Sequence, residues 1–480
     1  MKADRFQRLA FDVGVMILMV GILHLPPMIT AGFTTDQVAL DAFLASLTLS
    51  VLLGGALALG FRGGRSKHRQ DQLIVMPFCL YLAASVFGSL PFFFQSPDIK
   101  AVPAFYEGVS LVTTSGASVF YTSGVYTTAF EVWRSMLAWL GGFMALLLVI
   151  GVMVPMNAGG YRLHISTMVM EHGEGLEDRL LSAAKLLFPI YTAFTWLIIM
   201  GLTLLGTPFF DAFQIASGLV SLTGYPIEGV NNLSSLQIVA ISLLLLIAAL
   251  NWDNLVASFK YNRWRWLKDP ETKGIFLNLG IAVLLLWLIL PMPVIERILD
   301  AFSLAVSAVT TSGWRYGDEP ALVSDVVVMA TLGFAIVGGA ALSASGGIKQ
   351  LRGIALRQVI GSELDRLAHP NKVMHVTLGR ARVEDADKES LWLFITLMIG
   401  MLVLSILLLM ALGLDMASAV YNTLGHITLS APLVDHPGLG FDRVSNFYDL
   451  ELLTLSVVLI VARVDACIFL VILGRKFWKI

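Results

Sequence analysis

Ten apolar stretches in this chain of 480 residues are each long enough to cross a lipid bilayer. A hydrocarbon core about 30 Å thick needs about 20 apolar residues of helix. Only 14% of the residues are charged and 57% are hydrophobic, whereas an average soluble domain is about 25% charged. The sequence therefore predicts an all-α polytopic membrane protein. The predicted spans are 9–29, 39–61, 72–95, 130–155, 183–206, 235–258, 274–296, 322–348, 390–413 and 450–474.

The basic residues predict the orientation of these spans, because segments on the cytoplasmic side carry an excess of Lys and Arg. With the N-terminus in the cytoplasm, 26 of the 32 basic residues fall in inner segments. Both termini are therefore predicted to be cytoplasmic. The net charge of -2 gives no reason to expect a nucleic-acid partner.

Four connections on the outer side are too long and too apolar to be simple loops: 96–129, 207–234, 297–321 and 414–449. Each begins with a helix-like stretch that starts at Asp or Pro, residues that suit the first helical turn. These starts are Pro103, Asp211, Asp300 and Asp415. Thirteen residues further on stand Gly116, Gly224, Gly313 and Thr428, and two of the turns read VTTSG. The pattern predicts one unit used four times, with the fourth copy altered.

A half-helix that stops within the membrane leaves carbonyl oxygens unpaired, and such backbone survives only where it is buried or lines water. Four such turns around one axis would present rings of oxygens that replace the water shell of a monovalent cation. Glycine suits these turns because they need unusual dihedral angles. A single TTSG is also an ordinary end of a helix. Three copies in register favour an ion filter.

These motifs resemble the TrkH/TrkG/KtrB superfamily of potassium uptake proteins, on the TrkH side. The resemblance covers nearly the whole chain, and five segments carry it. They are WRSMLAWLGGFMALLLVI (133–150), the stretch 251–271, AVSAVTTSGWRYGD (305–318), IVGGAALSASGGIKQLR (336–352) and ARVD (462–465).

The resemblance implies four repeats of helix, pore helix and helix around a pseudo-fourfold pore, plus two extra N-terminal transmembrane helices. The units would be 1–70 for the extension, then 71–160, 161–270, 271–388 with a broken helix, and 389–480 with a degenerate filter. It also implies a homodimer in the bacterial inner membrane, a cytosolic TrkA-type nucleotide-binding ring as partner, and K⁺ as the transported ion. No cofactor is expected in this chain, and nucleotide only on the partner.

Carried over residue by residue, the resemblance implies four filter strands. They are Thr114-Ser115-Gly116-Ala117, Leu222-Thr223-Gly224-Tyr225, Thr311-Ser312-Gly313-Trp314 and His426-Ile427-Thr428-Leu429. The family has glycine where Thr428 stands. Since a β-branched residue resists positive φ, the fourth strand is predicted to differ from the others. A shift of register would offer Gly425, but it breaks the count of thirteen.

Arg315 is a fixed positive charge two residues after the third filter glycine. It is expected to repel cations at the outer mouth unless Glu228, Asp318 or Glu319 neutralises it.

Small residues at 338–347 interrupt the span 322–348, which fits either close helix packing or a locally unwound loop. The resemblance favours the loop, as an intramembrane gate below the filter. Its expected residues are Ser343, Ser345, Gly346, Gly347, Lys349 and Arg463. Arg463 lies deep in the last span and needs a polar partner. It could act as an electrostatic barrier or belong to an interhelical ion pair. The charged segment 349–389 is expected to contact the cytosolic ring, with a solvated loop as the alternative.

The leading hypothesis is a channel-like potassium uptake transporter. One alternative is a sodium-permeable or unselective cation pathway, which Thr428 and Arg315 favour. A second is a non-conducting relative that acts as a sensor or assembly subunit. An enzyme is not expected, since no HExxH, acidic pair or Ser/His/Asp set is evident. Coupled symport and simple conduction both stay open.

Overall fold

A computed structural model gives the structure of most of the chain. It describes residues 3–62, 70–120, 127–153, 176–227, 233–261, 265–291, 294–315, 324–369, 377–378, 381–383, 385–435 and 439–465. The described helices are α1 (Ala3–Leu23), α2 (Leu25–Phe33), α3 (Gln37–Gly60), α4 (Gln70–Gln95), α5 (Ala101–Val112), α6 (Thr128–Leu148), α7 (Leu176–Leu204), α8 (Phe209–Ser221), α9 (Ser235–Ala249), α10 (Trp252–Tyr261), α11 (Arg265–Lys268), α12 (Pro270–Ile289), α13 (Val294–Thr310), α14 (Asp325–Val337), α15 (Gln350–Ala368), α16 (Asp385–Leu412), α17 (Met416–Ile427) and α18 (Asp449–Val464).

The described part of the chain is nearly all helical, as predicted. A two-residue antiparallel ladder pairs β1 (Thr377–Leu378) with β2 (Ala381–Arg382), a detail that the all-α prediction lacked. Short 3₁₀ turns lie at Ala431–Leu433 and Val444–Asn446, and a π-helical turn at Val149–Met153 extends α6.

Seven described helical segments are long and apolar enough to cross a membrane, and an eighth arises if one bent pair is a single span. The bent pair is α9 with the first part of α10, which meet at 96°. The seven segments are Gln7–Phe33, Gln37–Gly60, Ile74–Gln95, Thr128–Gly151, Leu180–Leu204, Pro270–Ile289 and Asp385–Leu412.

Two of the predicted spans, 322–348 and 450–474, have a different outcome. Within 322–348, α14 ends at Val337 and an irregular segment follows before α15, so this stretch is not one continuous helix. Within 450–474, α18 is described as far as Val464, and residues after Asp465 lie outside the described part. A break at the small residues 338–347 matches the unwound-loop interpretation rather than close packing of an intact helix.

The spans differ in how deeply they lie within the protein. Within an 18-residue window, the share of buried residues is 83% in the segment Thr128–Gly151 but 17% in Asp385–Leu412. In a membrane protein an apolar face with no protein neighbour faces lipid. Helix α6 therefore lies at the centre of the fold and α16 at its lipid-facing edge. The first N-terminal span reaches α6 through His24, whose ring stacks on Trp133 at 4.3 Å, and the second reaches it through Phe43, whose ring lies 5.9 Å from that of Trp133.

Four short helices, α5, α8, α13 and α17, occupy the four outer connections singled out in the sequence. Helix α17 begins at the cap Asp415, whose carboxylate accepts from the backbone N–H groups of Ala417 and Ser418. Helix α8 begins after Pro208. Each is too short to cross a bilayer at 1.5 Å per residue, so each ends within the protein.

Candidate functional site

The four short helices end in the same way. A residue one or two positions after each C-terminus adopts the left-handed conformation, although none is glycine: φ is 63° at Thr114, 57° at Leu222, 59° at Thr311 and 57° at Leu429. Non-glycine residues in this region cost about 1 kcal/mol or more each, so the surrounding structure must hold them there. We call the five residues around each of these positions a turn segment: 113–117, 221–225, 310–314 and 428–432.

Hydroxyl groups stabilise each turn segment at equivalent positions. The first residue donates its side-chain hydroxyl to the carbonyl four residues earlier, at 2.7 Å in three segments and 2.8 Å in the fourth; these residues are Thr113, Ser221, Thr310 and Thr428. The third residue donates its backbone N–H to the carbonyl five residues earlier; these residues are Ser115, Thr223, Ser312 and Ser430. The four segments are therefore equivalent in backbone over their first three residues, and each begins with a hydroxyl-bearing residue.

This equivalence corrects the predicted register of the fourth strand by three residues. His426 and Ile427 lie in the last turn of α17, and Thr428 has the ordinary right-handed conformation. The residue equivalent to Thr114 is Leu429, and Ala431 stands where the other segments have glycine. The expected conflict between Thr428 and positive φ is therefore wrong, because Thr428 matches Thr113, Ser221 and Thr310.

The predicted register of the fourth strand was wrong because it was counted from the first residue of the repeat, Asp415. The true common anchor is a buried alanine ten residues before the left-handed position: Ala104, Ala212, Ala301 and Ala419, each at most 1% exposed. Asp415 caps α17 three residues too early to match Asp211 and Asp300. A cap can move along a helix, whereas a small residue at a close contact cannot move.

The turn segments contact one another in a ring. A methyl group on Gly116 would meet the backbone nitrogen of Tyr225 at 2.8 Å, and one on Gly224 would overlap the backbone of Ser312 and Gly313. A methyl group on Gly313 would meet the ring of Pro432 at 2.9 Å. The first segment thus touches the second, the second the third, and the third the fourth.

Two bonds close the ring between the fourth and first units. The backbone N–H of Ser118 donates to Asp435. The hydroxyl of Tyr106 on α5 lies 2.6 Å from Nε2 of His426 on α17. Hence His426 belongs to the wall behind the turn segments, and contacts join the four segments into a closed ring.

The outer edge of the ring carries arginines at two equivalent carbonyls. Arg134 on α6 donates to the carbonyl of Pro226 at 3.1 Å, and Arg315 donates to the carbonyl of Leu433. Burial lowers the pKa of Arg315 to about 10, and the nearby Asp435 carboxylate opposes that shift. Arg315 is therefore bonded to the fourth segment, with Asp435 as its nearby counter-charge. The expected partners Glu228, Asp318 and Glu319 lie outside the described residues.

Buried carboxylates that the sequence analysis did not single out support the first segment. Glu107, fully buried on α5, accepts from the backbone N–H of Val119 at 3.1 Å and lies 3.5 Å from the guanidinium of Arg134. Asp435 pairs with Arg443 at 3.2 Å. A carboxylate inside an apolar short helix was the available signal for Glu107, because an unpaired charge at that depth is costly.

The segment 338–349, between α14 and α15, lies directly against the inner side of the ring. The N–H of Gly346 donates to the hydroxyl of Thr311 at 2.6 Å, and a methyl group on Gly346 would overlap the carbonyl of Thr428. Gly338 and Gly347 both have φ of 72°, a value that glycine adopts without strain. We call this segment the inner loop.

Two cationic side chains hold the inner loop by its carbonyl oxygens. Arg463 donates to the carbonyl of Ala344 at 2.7 Å and to the hydroxyl of Tyr81 at 3.3 Å. Lys349 donates to the carbonyl of Ser343 at 3.2 Å and to the hydroxyl of Ser345 at 3.0 Å. The predicted gate residues are therefore together in space. Asp465 pairs instead with Arg352 on α15, so Arg463 is not part of a described ion pair.

Glu271, at the start of α12, anchors the other side of the inner loop. Its carboxylate accepts from the N–H of Ala341 at 2.7 Å and from the side-chain amide of Asn251 at 2.8 Å. Asn251 lies at the sharp bend between α9 and α10. The signal for this role was weak, since Asp-Pro-Glu is typical of the start of any helix.

A cavity of about 50 Å³ is lined both by the ring and by the cationic groups. Its lining includes Leu429 of the fourth turn segment, Ser343, Ser345, Lys349 and Arg463. The space is large enough for a few water molecules or a small ion. Among the described residues, no group of three or more His, Cys, Asp or Glu could hold a metal ion.

The chain is similar to known cation transport proteins. The family model of TrkH, described as a cation transport protein, matches residues 281–430. The chain is 25% identical to the Trk system potassium uptake protein TrkH of Halomonas elongata, over 97% of this chain and 98% of that protein. It is 27% identical to TrkH of Salmonella typhimurium, over 99% of each chain. It is 26% identical to TrkG of Escherichia coli, over 97% of each.

The fold is that of a solved relative. The crystal structure of the potassium transporter TrkH from Vibrio parahaemolyticus matches with a TM-score of 0.88, covering 99% of this chain and all of that one at 22% identity. The chain is therefore similar along almost its full length to the potassium uptake proteins TrkH and TrkG, and residues 281–430 match the TrkH family model.

Proposed function

We propose that this protein is a potassium uptake transporter in which cations pass through the ring of four turn segments. One observation carries the proposal. The carbonyl oxygens of the four left-handed residues accept no hydrogen bond from any described residue; these residues are Thr114, Leu222, Thr311 and Leu429. Four unpaired backbone oxygens in a dry interior are unfavourable unless a ligand occupies them, and a monovalent cation is the ligand that such rings hold.

The relatives support potassium as the ion. Those named above are called potassium uptake proteins. The filter residues of this proposal are 114–117, 222–225, 311–314 and 429–432, with the corrected register in the fourth segment. Ala117 is bonded through its carbonyl to the hydroxyl of Ser110 at 2.7 Å, so its oxygen serves the turn rather than the axis.

The inner loop is the proposed gate. It lies against the ring, and Lys349 and Arg463 place two positive charges next to the cavity below it. A cation that leaves the ring would meet both charges at low dielectric, where repulsion is strong. Conduction then requires that the loop and these side chains move away together.

The membrane and the partners proposed for this protein rest on its similarity to the Trk proteins. We place the protein in the bacterial inner membrane with both termini in the cytoplasm, on the distribution of basic residues. We further propose a homodimer with a cytosolic TrkA-type nucleotide-binding ring that meets the segment around α15. The five units of the chain, from 1–70 to 389–480, keep their proposed bounds.

Rubidium uptake into proteoliposomes tests this function, together with rescue of a cell that lacks potassium uptake. We expect potassium-gradient-driven uptake by the natural protein. The variant Gly313→Ala should abolish it, since φ is 74° there and the added methyl meets Pro432. Gly353→Ala is the matched control, because a methyl there has no neighbour within 4 Å.

Each result has one meaning. No flux of any monovalent cation through the natural protein would refute transport and favour the sensor or assembly role. Undiminished flux through a folded Gly313→Ala protein would show that cations take another route.

A further inference from the structure

The turn segments are equivalent at the left-handed residue but differ two positions later. Gly116 and Gly313 have φ of 87° and 74°. Gly224 lies outside the left-handed region, and Ala431 begins a 3₁₀ turn. The first and third segments thus share one backbone path, while the second and fourth each follow another. Since the segments touch in chain order, the first faces the third and the second faces the fourth.

The carbonyl oxygens of the residues directly after the left-handed positions divide the four segments in the same way. The Thr223 carbonyl accepts from the indole N–H of Trp314 at 3.0 Å. The Ser430 carbonyl accepts from the backbone N–H of Leu433 at 2.9 Å. The carbonyls of Ser115 and Ser312 accept no hydrogen bond from the residues described. At this level two facing oxygens are available and the other two are engaged.

The Thr223 carbonyl is also turned toward its own helix. Its oxygen lies 2.8 Å from the position that a methyl group on Gly218 of α8 would occupy. An oxygen directed at α8 cannot also face the line that the four segments surround. Because Gly224 departs from the left-handed conformation of Gly116 and Gly313, the Thr223–Gly224 peptide is rotated relative to its counterparts.

The side chain of Trp314 packs next to the Thr223–Gly224 peptide. This side chain is only 3% exposed, and its ring edge lies 3.0 Å from the methyl position of Gly218. Any residue larger than glycine at 218 would collide with it. The indole is thus fixed between α8 and the second segment, with its single donor directed at Thr223.

We propose that Trp314 is a selectivity-determining residue that withholds the Thr223 carbonyl from the permeating ion. This inference rests on the proposed function of the ring. The level formed by Ser115, Thr223, Ser312 and Ser430 then supplies two protein oxygens instead of four, and water completes the shell of the ion. Water adapts to Na⁺ as readily as to K⁺, so this level discriminates weakly between them. The level formed by the left-handed residues keeps four equivalent oxygens.

The test compares K⁺ and Na⁺ permeability of the natural protein and of Trp314→Phe in proteoliposomes. Phenylalanine keeps an aromatic ring but has no N–H donor. A neutral hydrogen bond of ordinary strength corresponds to a roughly fivefold change in population, so we expect the K⁺/Na⁺ ratio to rise roughly threefold or more. Trp139→Phe is the control, because it removes an indole that donates to Thr195 at 3.0 Å, away from the ring.

A second substitution at Trp314 keeps the test valid if Trp314→Phe folds poorly. Replacing Trp314 by 3-benzothienylalanine keeps the shape of indole and exchanges N–H for sulfur. A higher ratio with either residue, and an unchanged ratio in Trp139→Phe, supports the proposal. Flux with an unchanged ratio in both Trp314 variants overturns it while the transport function stands. Loss of flux in both folded variants also overturns it, and lack of flux in the natural protein overturns the transport function itself.

Discussion

The hydroxyl of Tyr106 and Nε2 of His426 lie 2.6 Å apart and join the first short helix to the fourth. Nδ1 of His426 lies 2.6 Å from the carbonyl of Asn422, which can only accept, so Nδ1 carries the proton. Nε2 is then an acceptor and Tyr106 is the donor. Both residues are fully buried. This bond closes the ring of turn segments where chain connectivity does not.

Replacing Tyr106 by Phe should weaken that closure. The change leaves Nε2 of His426 buried without a donor, which costs about 1–3 kcal/mol. We expect a lower thermal unfolding temperature in detergent and reduced rubidium flux. Tyr448→Phe is the control, because Tyr448 is 80% exposed. Equal melting temperatures of the Tyr106 and Tyr448 variants would contradict the assigned role.

Replacing Glu271 by Gln should release the inner loop. The new amide group would point a donor at either the N–H of Ala341 or the amide of Asn251, both of which are donors themselves. We expect higher basal cation flux without any cytosolic partner. The control is Glu363→Gln on α15, whose partner Arg366 is 3.8 Å away at an exposed site. Basal flux equal to that of the natural protein would argue against Glu271 as an anchor.

With the corrected register, substitutions at Ala431 and at Thr428 in the fourth segment have different expected effects. Ala431→Gly restores the residue type found at the other three positions and should raise the K⁺/Na⁺ permeability ratio, because glycine adopts positive φ without strain. Thr428→Ala removes a hydroxyl bonded to Leu424 and Ser430, and should cost about 1 kcal/mol of stability. Had Thr428 been the altered filter position, Thr428→Gly would be the substitution that sharpens selectivity. Reversal potentials for the three variants distinguish the registers.

Removing a positive charge beside the cavity should raise flux. In Lys349→Met the repulsion between this group and a cation below the ring disappears, and so do its bonds to the inner loop. The same direction is expected for Arg463→Gln, which loses the contact to Ala344. Lys388→Met serves as control, since Lys388 pairs with the exposed Asp385 at 2.8 Å. Reduced flux in both inner-loop variants, with normal melting temperatures, would mean that these charges do not form a barrier.

Local sequence was enough to predict most of the spans and the short helices of the outer connections. These features depend on the length of apolar runs and on residue types that favour or resist helix, which neighbouring residues decide. The residues of the first three turn segments followed from the same kind of pattern. The break at 338–347 was one of two interpretations that the residues left open, and the family resemblance favoured it.

Only the tertiary structure decided the register of the fourth segment, the bond between Arg315 and Leu433, and the rotation of the Thr223 carbonyl by Trp314. Each of these joins residues from different units, so no local pattern contains it. Glu107 and Glu271 were missed for the same reason. A buried carboxylate takes its role from the donors that folding places around it, and those donors lie far away along the chain.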